Sequence, residues 1–256
     1  MKDLQRRLSE LPAGLEPLYR RMVECIPQRY CEQAAQYFRV VQSAASPLTP
    51  LAFSFIDEDL KAALRPKGGT FGYEEFRRRY VLVGKRLKSR CAGLVEISLG
   101  GEFRVAGAKI QDTSAWYNHR VQFLHLTVKE FLASKEMRSW LASTPSGNIH
   151  VRILTCCLRQ LQVTSYCSYT EKRKRRLYLE ASLLKEDFRS PGILHLIFVH
   201  ALRAEKASNK SQLIYLEALD KLIESSAVAK FGVDYPEYKL RHWTDFRNLD
   251  TLEPDD

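Results

Sequence analysis

The sequence predicts a mainly α fold: a winged-helix domain with a small β-wing, followed by a helical domain. Three observations carry this. Tyr73, Phe76, Tyr80, Val83, Leu87 and Cys91 recur every three or four residues, the stripe of one long amphipathic helix. Short apolar runs, LVEISL and EFRVA, follow it on either side of Gly100-Gly101, and VQFLH comes later. They read as strand, tight turn, strand and a further short strand, in winged-helix order. Further on, the apolar helix ILHLIFVHALRAEKA and the stripe Leu213, Leu216, Leu219, Leu222 are joined by the short linker KASNK, which predicts an antiparallel helical hairpin.

The elements can be justified in order. Leu4, Leu8 and Leu11 repeat at helical spacing until Pro12-Ala13-Gly14 breaks the helix. Leu15, Leu18, Met22 and Ile26 form the next stripe, which Pro27 ends. Residues 29–45 place Tyr30, Ala34, Tyr37, Phe38 and Val41 on one helical face. Thr49 is a candidate N-cap with Pro50 at the first helical position, so LAFSFI is read as helix. Asp57-Glu58-Asp59 reads as a capped, solvated loop rather than a metal site, and residues 60–72 as loop. The long helix from Tyr73 has Glu74 and Glu75 in its first turn and its bases later, which suits the helix dipole. Gly93 ends it.

Thr127-Val128-Lys129-Glu130 has the pattern of a capping box, with Leu126 and Phe131 as a hydrophobic staple. A helix therefore starts at Thr127, immediately after His125, and TPSGN at 144–148 breaks it. Val151, Leu154, Leu158 and Leu161 mark another helix. The run EKRKRR at 171–176 reads as an exposed helix flank, with a nuclear-import signal or an RNA contact as the sharper alternatives. Residues beyond Gly232 are irregular and end acidic.

The 256 residues are 45% hydrophobic and 27% charged, a globular balance that excludes a disordered chain. No apolar run approaches the roughly eighteen residues that span a bilayer, and MKDLQRRLSE lacks the apolar core of a secretory signal. A cytoplasmic chain without a membrane partner is expected, with the nucleus as the alternative. Six cysteines without a C-x-x-C pair read as buried free thiols, and no metal is assigned. His195 and His200, five apart on an apolar helix, read as core or interface histidines. No phosphate loop, G-x-S-x-G elbow or H-E-x-x-H is present, so no enzyme activity and no catalytic residue are assigned. The net charge of +10 and a long helix bearing Arg77, Arg78, Arg79, Lys85, Arg86, Lys88 and Arg90 keep nucleic acid as the alternative partner. Glu74 and Glu75 at the end that would enter a groove weigh against it.

A resemblance adds to this. ELPAGLEPLYRRMVECIP, EQAAQYFRVVQSAASPLTPLAFSFIDED, GKRLKSRCAGLVEI, VQFLHLTVKEFL and ILTCCLRQL resemble the stretch downstream of the NACHT nucleotide-binding domain in fungal NOD-like receptors. These are signal-transduction ATPases of the heterokaryon-incompatibility type. FVHALRAEKASNKSQLIYLEALDKL is similar to their helical segment, and the likeness covers roughly residues 3–226. VQFLHLTVKEFL is its most specific piece. Residues 99–120 do not align with it.

The resemblance implies an organisation into residues 1–28 (a helical linker from a nucleotide-binding domain lying upstream), 29–142 (winged-helix-like), 143–230 (helical) and 231–256 (irregular tail). It implies a non-catalytic regulatory module that packs on a NACHT domain and relays its nucleotide state in self/non-self recognition or innate defence. Oligomerisation on activation is a further implication. No cofactor is expected in the chain itself, since ADP or ATP would be held by the NACHT domain. The resemblance also implies that the junction histidine, His125, contacts ADP phosphates, while a histidine that merely caps the junction remains the competing reading. Arg86, Lys88 and Arg90 are candidate interaction residues.

Overall fold

Thr49 and Pro50 show how local chemistry sets this chain's architecture. The Thr49 hydroxyl accepts the Ala52 N–H at 3.1 Å, and Pro50 fills the first position of the helix. Such a cap contributes about 1 kcal/mol. The computed structural model describes residues 14–65, 71–99, 119–144, 147–164 and 192–231. The Leu4/Leu8/Leu11 helix, Gly100-Gly101, EFRVA, Cys167, EKRKRR and the acidic tail lie outside the described residues.

Among the described residues the fold is mainly helical with one two-stranded sheet. The elements are α1 (Leu15–Glu24), a 3₁₀ turn (Gln28–Tyr30), α2 (Cys31–Ser43), α3 (Pro50–Phe53) and a second 3₁₀ turn (Leu60–Leu64). Then come α4 (Tyr73–Arg90), β1 (Val95–Leu99), β2 (His119–Phe123), α5 (Leu126–Leu132), α6 (Lys135–Ser143), α7 (Ile149–Thr164), α8 (Ile193–Ser208) and α9 (Leu213–Phe231). The described residues up to Ile56, with Tyr73–Ile149, form one compact unit. Asp57–Gly72 and the described residues from His150 onward form another.

In the first unit most of the predicted stripe of α4 faces inward: Phe76, Val83, Leu87 and Cys91 are buried and Tyr80 half-buried, whereas Tyr73 at its start is exposed. α4 packs on α3 and on β1. β1 and β2 are antiparallel, with Val95 opposite Phe123 and Leu99 opposite His119. β2 is also tied to the chain before α3, where the Val121 N–H donates to the Leu48 carbonyl at 2.8 Å. Tyr37, Phe38, Phe53, Phe55, Ile56, Leu87 and Leu94 are fully buried. Tyr37 meets Phe53 edge-on at 5.1 Å. The turn after α4 takes left-handed backbone at Ala92 (φ 49°) and Gly93 (φ 82°), so the predicted stop at Gly93 is present.

Several expectations are corrected. On α1 the buried side chain is Tyr19, whereas Leu15 is exposed. The helix expected to run from Thr127 to Ser143 is two. Ser134 accepts the Met137 N–H at 3.4 Å and starts α6 afresh. The capping box and staple do not form. His125 is the N-cap, Thr127 lies inside the helix, and Leu126 is exposed.

In the second unit, α7 is buried all round rather than along one stripe. Its polar residues are satisfied: the Arg159 guanidinium donates to the Glu58 carboxylate at 3.0 Å and to Gln162 Oε1 at 2.6 Å. The Gln162 amide donates to the Ala63 carbonyl at 2.6 Å. These bonds hold residues 58–63 as a turn capped by Asp59, where a loop was expected. α9 packs on that turn. Asn209, in left-handed backbone (φ 51°), caps α8.

Candidate functional site

β2 ends at Phe123, and the Leu124 N–H is held by the Leu94 carbonyl at 3.0 Å. The chain stays extended through His125 (φ −152°, ψ 156°) and enters α5 at Leu126. Val128, Phe131 and Leu132 turn inward, so the opposite side of the junction faces out. Leu124, His125 and Leu126 are all exposed, the two leucines at 49% and 65%.

The His125 ring bends back on its own helix. Nδ1 accepts the Thr127 N–H at 3.3 Å and lies 2.9 Å from Thr127 Oγ1. Among the described residues, Nε2 makes no hydrogen bond. One nitrogen is therefore engaged by the junction, and the side chain as a whole is exposed. The reading of His125 as a junction cap has a geometric counterpart, since its side chain caps α5.

Behind His125 stands Tyr19 of α1. Its hydroxyl is 2.8 Å from Thr127 Oγ1, and its ring lies 5.8 Å from Phe131. Arg20 next to it pairs with Glu136 of α6. Sequence reasoning did not single out Tyr19. The available signal was its place on the helical stripe with Leu15, Met22 and Ile26, but nothing local marks a partner 108 residues away.

The other candidates sit at the end of α4. Arg90 donates to the Tyr37 hydroxyl at 2.6 Å and lies over the Tyr30 and Tyr37 rings, so its charge covers the core's aromatic edge. Arg86 is half-buried and Lys88 exposed. None of the three shares a hydrogen bond with His125.

Elsewhere, Cys91, Cys156 and Cys157 are the buried thiols expected, and burial pushes Cys157 up to about 12. Cys25 departs from that expectation and is exposed, because it lies past the end of α1. His200 is fully buried in the core, and its Nδ1 is 3.0 Å from Nδ1 of His150, a residue the sequence reading passed over. Among the described residues no group of three His, Cys, Asp or Glu side chains could hold a metal ion. Among them, too, no helix is long and apolar enough to cross a membrane.

A family model described as a domain of unknown function, DUF7791, matches residues 25–174. The chain belongs to the DUF7791 family. The DUF7791 match takes in all of α4, both strands and the His125 junction, and begins just after Tyr19. It carries no activity and no link to nucleotide-binding receptors. Neither the curated proteins nor the solved structures hold a match.

Proposed function

We propose that this DUF7791 chain is a non-catalytic regulatory module of a fungal NACHT-type receptor. It packs on the nucleotide-binding domain through the His125 junction and relays whether ADP is bound. In this reading the helices α2–α4 and the β1–β2 sheet are the helical and wing parts of a winged helix. The supporting observation is the exposed His125 imidazole, anchored through Nδ1 and without a hydrogen bond at Nε2 among the described residues, between exposed Leu124 and Leu126. Exposed apolar side chains beside one polar group suit a protein interface. The likeness of VQFLHLTVKEFL to the junction of the NOD-like receptors supports the choice of partner.

A hydrogen bond to a charged phosphate contributes about 1.5–3 kcal/mol. His125→Ala should therefore weaken binding to an ADP-loaded NACHT domain about ten- to a hundredfold. Binding to the nucleotide-free domain should stay unchanged. Equal affinities of parent and variant for the ADP-loaded domain would reject the reading.

The net charge of +10 keeps a second reading, nucleic-acid binding, alive. It is weakened on α4 itself. Arg78 and Arg79 pair with Glu75, Arg77 lies 3.9 Å from Glu74, and Arg90 is spent on Tyr37. Affinity for mixed-sequence duplex DNA that falls steeply with salt would favour it.

A further inference from the structure

The hydrogen bonds behind His125 have a direction that can be worked out. Nδ1 accepts the backbone N–H of Thr127, a donor that cannot reverse. Nδ1 therefore carries no proton. Its one lone pair is then shared with the Thr127 hydroxyl, which donates across the 2.9 Å contact in a three-centre arrangement. Thr127 Oγ1, having donated its only proton, accepts from the Tyr19 hydroxyl across 2.8 Å. The opposite arrangement puts a proton on Nδ1 and sets the Thr127 N–H against a like donor at 3.3 Å. The ring N–H is left on Nε2, the nitrogen with no hydrogen bond among the described residues.

We propose that Tyr19 and Thr127 are positioning residues that keep His125 Nδ1 an acceptor and leave the ring N–H on Nε2, so that the junction presents one donor matched to an anionic acceptor. This rests on the reading above only in naming that acceptor as a phosphate of ADP held by the neighbouring domain. The relay itself lies within this chain. It also ties the site to α1. Tyr19 is buried and its ring packs near Phe131, so the phenol reaches Thr127 only while α1 lies against α5. Cooperative strengthening along such a row of bonds favours one direction over a mixture.

The test is ¹⁵N NMR of the whole chain labelled at histidine, because the two ring nitrogens resonate far apart when one is an acceptor and the other an N–H. In the parent, His125 Nδ1 should show the acceptor signature and Nε2 the N–H signature. Loss of one hydrogen bond of about 0.5–1.5 kcal/mol should raise the Nδ1–H fraction roughly two- to tenfold in Thr127→Val. The rise should be smaller in Tyr19→Phe, which keeps the ring packing. Thr127→Ser, which keeps the hydroxyl, should restore the parent spectrum. A parent with Nδ1–H dominant, or a tautomer ratio identical in Thr127→Val and parent, overturns the proposal. If the tautomer moves as stated while His125→Ala leaves ADP-dependent docking untouched, the relay stands and the functional reading fails. The reverse pattern removes the relay and leaves the functional reading.

Discussion

Two histidines in this chain occupy opposite environments. His125 is exposed at the seam between β2 and α5 in the first unit, with Nδ1 bonded and Nε2 without a hydrogen bond among the described residues. His200 sits in the core of the second, fully buried, with its Nδ1 3.0 Å from that of His150 and the rings stacked at 5.2 Å. The same side chain is available to a partner in one place and committed to the fold in the other. The difference lies in what receives the ring. A strand-to-helix junction leaves one face of the backbone outward, whereas α8 turns His200 inward against His150. A histidine in an apolar run thus acquires a role only through its neighbours in space.

The largest expected effect follows from the buried pair. Burial, with His150, Arg203 and His195 facing it, pushes His200 from 6.5 down to about 3. His150 and His195 are lowered as well, mainly by burial. Below pH 6.5 the unfolded chain therefore binds a proton that the folded chain refuses at His200. The contribution is intact above pH 6.5 and is lost as the pH falls toward 3, at about 1.4 kcal/mol per pH unit. Denaturant midpoints measured between pH 7 and 4 should fall accordingly, and His200→Phe should flatten the slope. An unchanged slope in that variant would break the comparison.

A smaller effect separates the capping of α5 by His125 from its proposed part in docking. His125→Ala removes the cap of α5 and should cost about 1 kcal/mol, read from the urea midpoint. His125→Asn should recover most of that loss, since asparagine is a good N-cap. It should not recover the ADP-dependent docking, because its amide does not reproduce the Nε2–H. If asparagine restores both, capping alone explains the residue.

What the sequence made legible was local. The Thr49 cap, Pro50, the α4 stripe and the Gly93 stop depend on contacts three or four residues apart, and each is present. The misread junction shows the limit. Thr127 and Glu130 have the right spacing for a capping box, but a histidine two residues earlier reaches the same amide and starts the helix sooner. The break at Ser134 was hidden because a serine cap and a solvent-facing serine look alike in a helical run. The remaining determinants are pairings far apart in sequence: Tyr19 with Thr127, His150 with His200, Arg159 with Glu58. Periodicity carries no trace of them. The likeness of VQFLHLTVKEFL pointed to His125, and the geometry then supplied the ring's partners.

The most direct measurement is a titration of a NACHT nucleotide-binding domain, with and without ADP, into the histidine-labelled chain, following His125 and His200 together. The account predicts that the His125 Nε2 resonance moves only with the ADP-loaded domain while His200 stays still. A His125 signal indifferent to ADP, or His200 shifting equally, would contradict it.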